Sequence, residues 1–205
     1  MAQYTTTAKV KSYLGITAST WDTLLDSLIT IASSMIDQFT GRQFYKTADT
    51  TKKYDGNNNV SLFIDDLLSS SPTVVVDDGT LGSDDFFLYP SNDTPKTEIQ
   101  RAVDYSSDGY NTWPKGQQNV EITGDWGYCE DDEVPDDIDY ACQELVADIF
   151  RNRRRGKTQS ESVQGYNVNY GNIKKLPEVV RGILRKYEKV DVVVDDSAND
   201  TYEII

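Results

Sequence analysis

TWDTLLDSLITIASSMIDQFTGR, the stretch from Thr20 to Arg42, decides how the rest of the chain divides. Its apolar residues are Trp21, Leu24, Leu25, Leu28, Ile29, Ala32, Met35, Ile36 and Phe39, and spacings of three and four put a broad apolar stripe on one side of a helix. Thr20 suits the cap, because its hydroxyl can accept from an otherwise unpaired N–H. Gly41 suits the stop, because a residue without Cβ takes left-handed dihedrals without a clash. The spacing predicts a helix over 20–40. Before it, Thr7 to Leu14 reads as a short helix ended by Gly15, with Val10, Tyr13 and Leu14 folding back onto the longer one.

Beyond Arg42 the composition changes. As far as Trp126 the chain is rich in Thr, Val, Tyr, Asp, Gly and Asn, with short apolar runs between turn residues. Candidate strands are Gln43–Tyr45, Val60–Ile64, Thr73–Val76, Phe86–Tyr89 and Val120–Thr123. Asp55-Gly56 and Asp78-Gly79 are hairpin-type turn pairs, and Pro72, Pro90, Pro95 and Pro114 keep the strands short. Residues 42–126 therefore read as an antiparallel β lobe inserted between helices. A second helical block follows over 135–155: Pro135 suits a first turn, Asp136, Asp137 and Asp139 favour the partly positive helix start, and Ile138, Ala141, Cys142, Leu145, Val146 and Ile149 form the buried stripe. A polar linker from Lys157 to Asn172 has room for a hairpin near Tyr166–Tyr170. A last helix over 177–188 turns Val179, Val180, Ile183, Leu184 and Tyr187 inward, and residues 190–205 form an extended, acidic tail. The fold class expected from these signals is mainly α: a small helical bundle with an inserted antiparallel β lobe, one domain over 1–189, and an extended C-terminal tail.

Composition narrows the chemistry. The chain has 205 residues, a formal net charge of −14 and no histidine. The missing imidazole excludes Ser/His/Asp triads and histidine-based zinc sites. So acidic a surface is a poor non-specific binder of nucleic acid, because phosphate contacts need clustered Lys and Arg. Two cysteines allow one disulfide at most, which excludes a disulfide-built scaffold. No run resembles a signal peptide or approaches membrane-spanning length, so no membrane partner is expected.

Individual motifs give little sign of catalysis. Gly156-Lys157-Thr158 ends like a phosphate loop, yet Arg151 stands where that pattern needs its first glycine. Asp104, Ser106, Asp108 and Gly109 begin like a calcium loop, but Lys115 occupies the position of the bidentate glutamate. Paired catalytic carboxylates need unlike environments, whereas Glu130, Asp131, Asp132, Glu133, Asp136, Asp137 and Asp139 all fall in a solvated turn and helix start. No metal, cofactor or catalytic residue is assigned. Cys142, on an apolar stripe, reads as a small buried hydrophobe.

Two segments point to partners. Arg151, Arg153, Arg154, Arg155 and Lys157 form a basic cluster with no acidic residue inside it. Favourable charge at a helix C-terminus explains one or two of these better than the whole set, so the excess suggests an anionic partner, first of all a protein surface. In the tail, Val190, Val192, Val193 and Val194 form a β-branched run, and Tyr202, Ile204 and Ile205 are apolar residues in an otherwise polar end. Such a strand-former either pairs with the β lobe or adds to another chain. Tyr89, Tyr105, Tyr110 and Trp113 would serve a stand-alone binding module on the β lobe, although the lobe's own core has equal need of aromatics.

The order of these pieces and their local wording resemble the head–tail connector proteins, or head completion adaptors, of tailed bacteriophages. The resemblance lies in Val10-Lys11-Ser12-Tyr13-Leu14-Gly15-Ile16, in the helix carrying Asp22, Leu25, Leu28, Ile29, Ala32 and Ile36, and above all in Val120-Glu121-Ile122-Thr123-Gly124-Asp125-Trp126-Gly127-Tyr128 followed by Val134-Pro135-Asp136-Asp137-Ile138 and Ala141. It implies a structural virion protein assembled in the host cytoplasm and placed at the head–tail interface. Its implied role is an adaptor ring, usually a dodecamer, that joins the portal protein to the stopper or tail-completion protein. The ring would extend the channel through which double-stranded DNA passes without sequence-specific binding. On that reading residues 190–205 dock on the portal and the arginine cluster sits at an inter-subunit or portal contact. The competing classes are a small acidic carboxylate-dependent hydrolase and the stand-alone binding module.

Overall fold

The computed structural model describes residues 3–103, 111–130, 133–154, 160–163, 166–169 and 176–189. Helix α1 spans Thr7–Leu14, capped by Thr6, whose side-chain oxygen accepts from the N–H of Lys9, and closed by Gly15 at φ 66°. A 3-10 turn, Ser19–Trp21, leads into α2, Asp22–Thr40, which Gly41 ends at φ 65°. Thr20 is therefore not the cap expected of it: it lies inside the 3-10 turn, and no side chain caps α2. Helix α3 spans Asp136–Arg154 and α4 spans Glu178–Leu184.

These helices enclose one core. Leu25, Ile29, Ala32 and Ile36 of α2 meet Ile138, Ala141, Cys142 and Val146 of α3, all fully buried, with Val10 of α1 and Val180 and Leu184 of α4 closing the sides. The inward face of α4 is narrower than expected, since Val179 is 59% exposed.

Between α2 and α3 the chain builds a seven-stranded sheet: β1 (Thr47–Gly56), β2 (Ser61–Leu67), β3 (Thr73–Val76), β4 (Gly79–Thr80), β5 (Phe86–Tyr89), β6 (Lys96–Arg101) and β7 (Gly116–Trp126). The order runs β4-β3-β7-β2-β6-β5, all pairs antiparallel, and β1 lies along β7. The sheet curls into a half-barrel. Its core is separate from the helical one and gathers around Trp113 and Trp126 with Ile64, Leu67, Val74, Ile99, Val120 and Ile122. The β3–β4 hairpin turns at Asp77 and Asp78, both at positive φ, so its turn sits one residue before the Asp78-Gly79 pair. Two further strands, β8 (Ser160–Val163) and β9 (Tyr166–Asn169), pair as an antiparallel hairpin.

The expected fold class needs correction. About 35% of the chain is helix and 28% strand, so the protein is a mixed α and β fold and not a mainly helical one. The lobe is larger than its apolar runs suggested because two of its strands carry few apolar residues. Neither β1, with sequence TADTTKKYDG, nor β6, with KTEIQR, shows hydrophobic alternation. Backbone pairing along long neighbours holds them, with Ile99 of β6 buried in the sheet core and Tyr54 of β1 packed against it. Gln43–Tyr45, by contrast, is not a strand: it leads Phe44 into the helical core, where that ring is fully buried.

Candidate assembly surfaces

The end of α3 carries the part of the basic cluster that the structure describes. Arg151 and Arg153 are exposed, and the Arg151 guanidinium lies 6.0 Å over the Tyr13 ring of α1. Arg154 is the last residue of α3; Arg155 and Lys157 lie outside the described residues. Tyr13 does not fold onto α2 as expected. It packs edge-on against Tyr140 of α3, with ring centroids 6.2 Å apart, and its hydroxyl donates to the Glu144 carboxylate. Trp21 packs edge-on against Phe150 nearby. Tyr13, Trp21 and Tyr140 are each more than a third exposed, so this face combines aromatic area with an arginine, a composition enriched in protein interfaces. Sequence reasoning found the arginines and missed the tyrosines, because Tyr13 and Tyr140 meet only once α1 crosses α3.

A second charged site lies where helices and sheet meet. Arg42, just after α2, donates through Nε to the Tyr187 carbonyl at 2.7 Å and through a terminal nitrogen to the carboxylate of Asp66 on β2. Asp65 receives Lys52 at 2.9 Å and Lys189 at 2.8 Å. Burial alone would raise the Asp65 pKa, but the two ammonium groups hold it down at about 2. The Lys189 backbone N–H donates to the Thr40 carbonyl at 2.8 Å, and Arg42, Lys52, Asp65, Asp66 and Lys189 line a cavity of about 180 Å³. The last described turn of the chain is thus fastened to both α2 and β2. The tail residues Val190, Val192, Val193, Val194, Tyr202, Ile204 and Ile205 lie outside the described residues.

The remaining candidates resolve into structural roles. In the acidic run each described carboxylate with a cation nearby is an ion-pair partner: Glu130 with Lys46 at 2.9 Å, Asp137 with Lys186 at 3.5 Å, and Asp139 with Lys9 at 2.6 Å. Burial pushes Asp139 upward, but its bonds from Lys9, Thr5 and Gln143 outweigh that and lower its pKa. Among the described residues no group of His, Cys, Asp and Glu is arranged to hold a metal ion. Burial pushes the Cys142 thiol up to about 12. Cys129 donates to the Phe44 carbonyl at 3.1 Å, and the two cysteines form no disulfide. Trp113 is fully buried, with its indole N–H on the Ile99 carbonyl, so it belongs to the lobe's core and offers no recognition surface. Tyr105 and Tyr110 lie outside the described residues.

A mixed fold in which many charged groups pair with one another, and in which Tyr13, Trp21, Tyr140 and Arg151 lie exposed on one helical face, has the features of a structural assembly protein. Comparison with known proteins agrees. The profile of the head completion protein family matches residues 3–190, and the chain belongs to that family. It is accordingly a structural protein of the phage virion and not an enzyme. No curated protein sequence matches it. Among solved structures it is similar to a chain of the neck of an empty gene transfer agent (GTA) particle computed with C6 symmetry, at 14% identity and a TM-score of 0.54, covering 91% of this chain and 90% of that one. It is also similar to a chain from the virion of a native GTA particle, at 15% identity, a TM-score of 0.49, and the same coverage of both chains. No described helix is long and apolar enough to cross a membrane.

Proposed function

We propose that this chain is the subunit of an adaptor ring between the portal and the stopper or tail-completion protein, extending the DNA channel once packaging ends. The observation that carries the proposal is the family match over residues 3–190, together with a fold similar along nearly its whole length to a chain of a particle neck computed with C6 symmetry. A ring of twelve is compatible with that symmetry. The net charge of −14 suits a conduit past which DNA slides without sticking, provided acidic side chains line it. The exposed Tyr13, Tyr140 and Arg151 supply aromatic and cationic contact area at a subunit or portal contact, with Arg153, Arg154, Arg155 and Lys157 extending it. Residues 190–205 act as an arm that docks outside their own subunit.

Cryo-electron microscopy of assembled particles tests the reading, with density for this chain expected as a ring beneath the portal. Particles made without it should lose their genome and fail to join tails; retention of the genome with normal joining would overturn the proposal. Truncation after Lys189 should release the protein from portal-bearing heads. Replacing Arg151, Arg153, Arg154 and Arg155 by alanine should weaken ring formation or head binding, and normal behaviour of both would remove the cluster from the interface.

A further inference from the structure

The two ends of the sheet path, β4 and β5, flank one cavity of about 440 Å³. Thr73 and Thr80 line it from the β3–β4 side, and Phe86, Phe87 and Leu88 line it from β5. It is therefore the open slot of the half-barrel, where a closed barrel would have another strand. The backbone of β5 is oriented to accept one. Ala102 donates to the Asp85 carbonyl at 2.9 Å, which makes Asp85 and Ala102 a hydrogen-bonded pair. By alternation, Phe87 and Tyr89 bond to Gln100 and Glu98, while Phe86 and Leu88 turn their N–H and C=O groups away from β6, toward the slot.

The slot also has a charge preference. Among the described residues that line it only Lys96 is charged, in a molecule of net charge −14. The lysine is 7% exposed, and its ammonium donates to the carbonyls of Pro90 at 2.6 Å and Ser91 at 3.1 Å, with no carboxylate partner among the described residues. A buried cation balanced only by carbonyl dipoles gains from an incoming anion. The floor of Phe86, Leu88 and Leu81 asks for apolar side chains beside that charge.

We infer that the slot accepts the segment Val190–Asp196 of a second copy of this chain as an added strand. In an extended segment Val190, Val192 and Val194 share one face and Asp191 and Asp195 the other. From residue 190 onward there are Asp191, Asp195, Asp196, Asp200 and Glu203 and no lysine or arginine, which complements Lys96. The segment begins directly after Lys189, whose fastening to Thr40 and Asp65 fixes where it leaves its own subunit. The inference rests on self-association in a ring and names the acceptor of the arm: each subunit completes its neighbour's half-barrel.

The test uses the full chain carrying Val193→Cys and Phe87→Cys, treated with a bis-maleimide, both as purified protein over a concentration series and in assembled particles. With Cys129 and Cys142 replaced by serine throughout, a ladder of covalent multimers, absent from either variant that carries one introduced cysteine alone, is expected. Linkage only within one chain, linkage to the portal instead, or no ladder in either preparation would overturn the inference. Lys96→Glu should cut the ladder at least tenfold. Since that lysine is buried, Val192→Asp with Val194→Asp supplies the same loss while leaving the residues that line the slot unchanged, and an undiminished ladder in both would also refute the slot. Genome retention in particles lacking the chain is scored separately, so failure of the adaptor role and failure of strand exchange give different results.

Discussion

The helical core and the sheet core share aliphatic packing and differ in their largest buried side chains. The helices use many medium aliphatic side chains, such as Leu25, Ile29, Ile36, Val146 and Leu184, spaced so that each helix states its own buried face. The sheet sets its aliphatic residues around two large anchors. Trp126 at the end of β7 and Trp113 just before it are almost entirely buried, and each indole N–H reaches a backbone carbonyl: Trp126 that of Thr50 at 2.7 Å, Trp113 that of Ile99 at 3.2 Å. Lys52 lies 4.7 Å over the Trp126 ring and Arg101 lies 5.4 Å over that of Trp113. A core of many small contributions degrades gradually, whereas a core built on two anchors concentrates its stability in single residues.

The most severe way to break the comparison is Trp126→Ala, which should destabilise the protein by about 3–5 kcal/mol, against about 2–5 kcal/mol for Ile29→Ala in the helices. Urea unfolding followed by circular dichroism measures both, and an Ile29 loss larger than the Trp126 loss would contradict the anchor picture. Next in size is the link between the regions. Asp66 is buried on β2 and receives Arg42 from the end of α2. Asp66→Ala leaves that guanidinium without its anion and should cost about 1.5–3 kcal/mol. It should also separate the unfolding of sheet and helices, read as tryptophan fluorescence and far-ultraviolet dichroism no longer changing together. Coincident transitions in the variant would show that the regions are coupled by something else.

The same contrast explains what was legible in the sequence. Helical periodicity is local, so the stripes of α2 and α3 could be read directly, and β3 and β5 fall on the apolar runs Thr73–Val76 and Phe86–Tyr89. The strands β1 and β6 could not be read that way. Their residues are mostly Thr, Lys, Asp, Glu and Gln, and they become strands because β7 and β2 offer long pairing edges. Underestimating them made the fold look mainly helical. At the assembly surfaces the arginines were visible as a charge run, but their partner Tyr13 was not, because a contact between α1 and α3 leaves no mark in local spacing. Nor could the slot beside Lys96 be foreseen, since it depends on the two ends of the sheet curling toward one cavity.

A smaller effect sharpens the view of the helices as locally specified. Thr6 caps α1 through its hydroxyl, which accepts from the Lys9 N–H at 3.3 Å. Thr6→Ala should cost about 1 kcal/mol, and Thr6→Asp should recover most of it. Thermal unfolding measures both, and a neutral alanine variant would place the specification of α1 in its packing alone.

The smallest predicted effect concerns the junction at low pH. Asp65 is bonded to Lys52 and Lys189, and its folded pKa of about 2 lies below the ordinary aspartate value near 3.9. A depressed carboxylate stabilises the fold above its unfolded pKa, and the contribution disappears as pH falls through the folded value. Because the side chain is 47% exposed, solvent screens the pairs and holds the contribution below about 1 kcal/mol. The stability difference between the natural chain and Asp65→Asn should therefore be constant above about pH 5 and shrink between pH 4 and pH 2. Taking the difference isolates this aspartate from groups that act oppositely, such as Asp37, whose burial raises its pKa. If the difference persists undiminished at pH 2, the lysines do not stabilise the junction through the Asp65 charge, and the fastening of Lys189 rests on its backbone bond to Thr40.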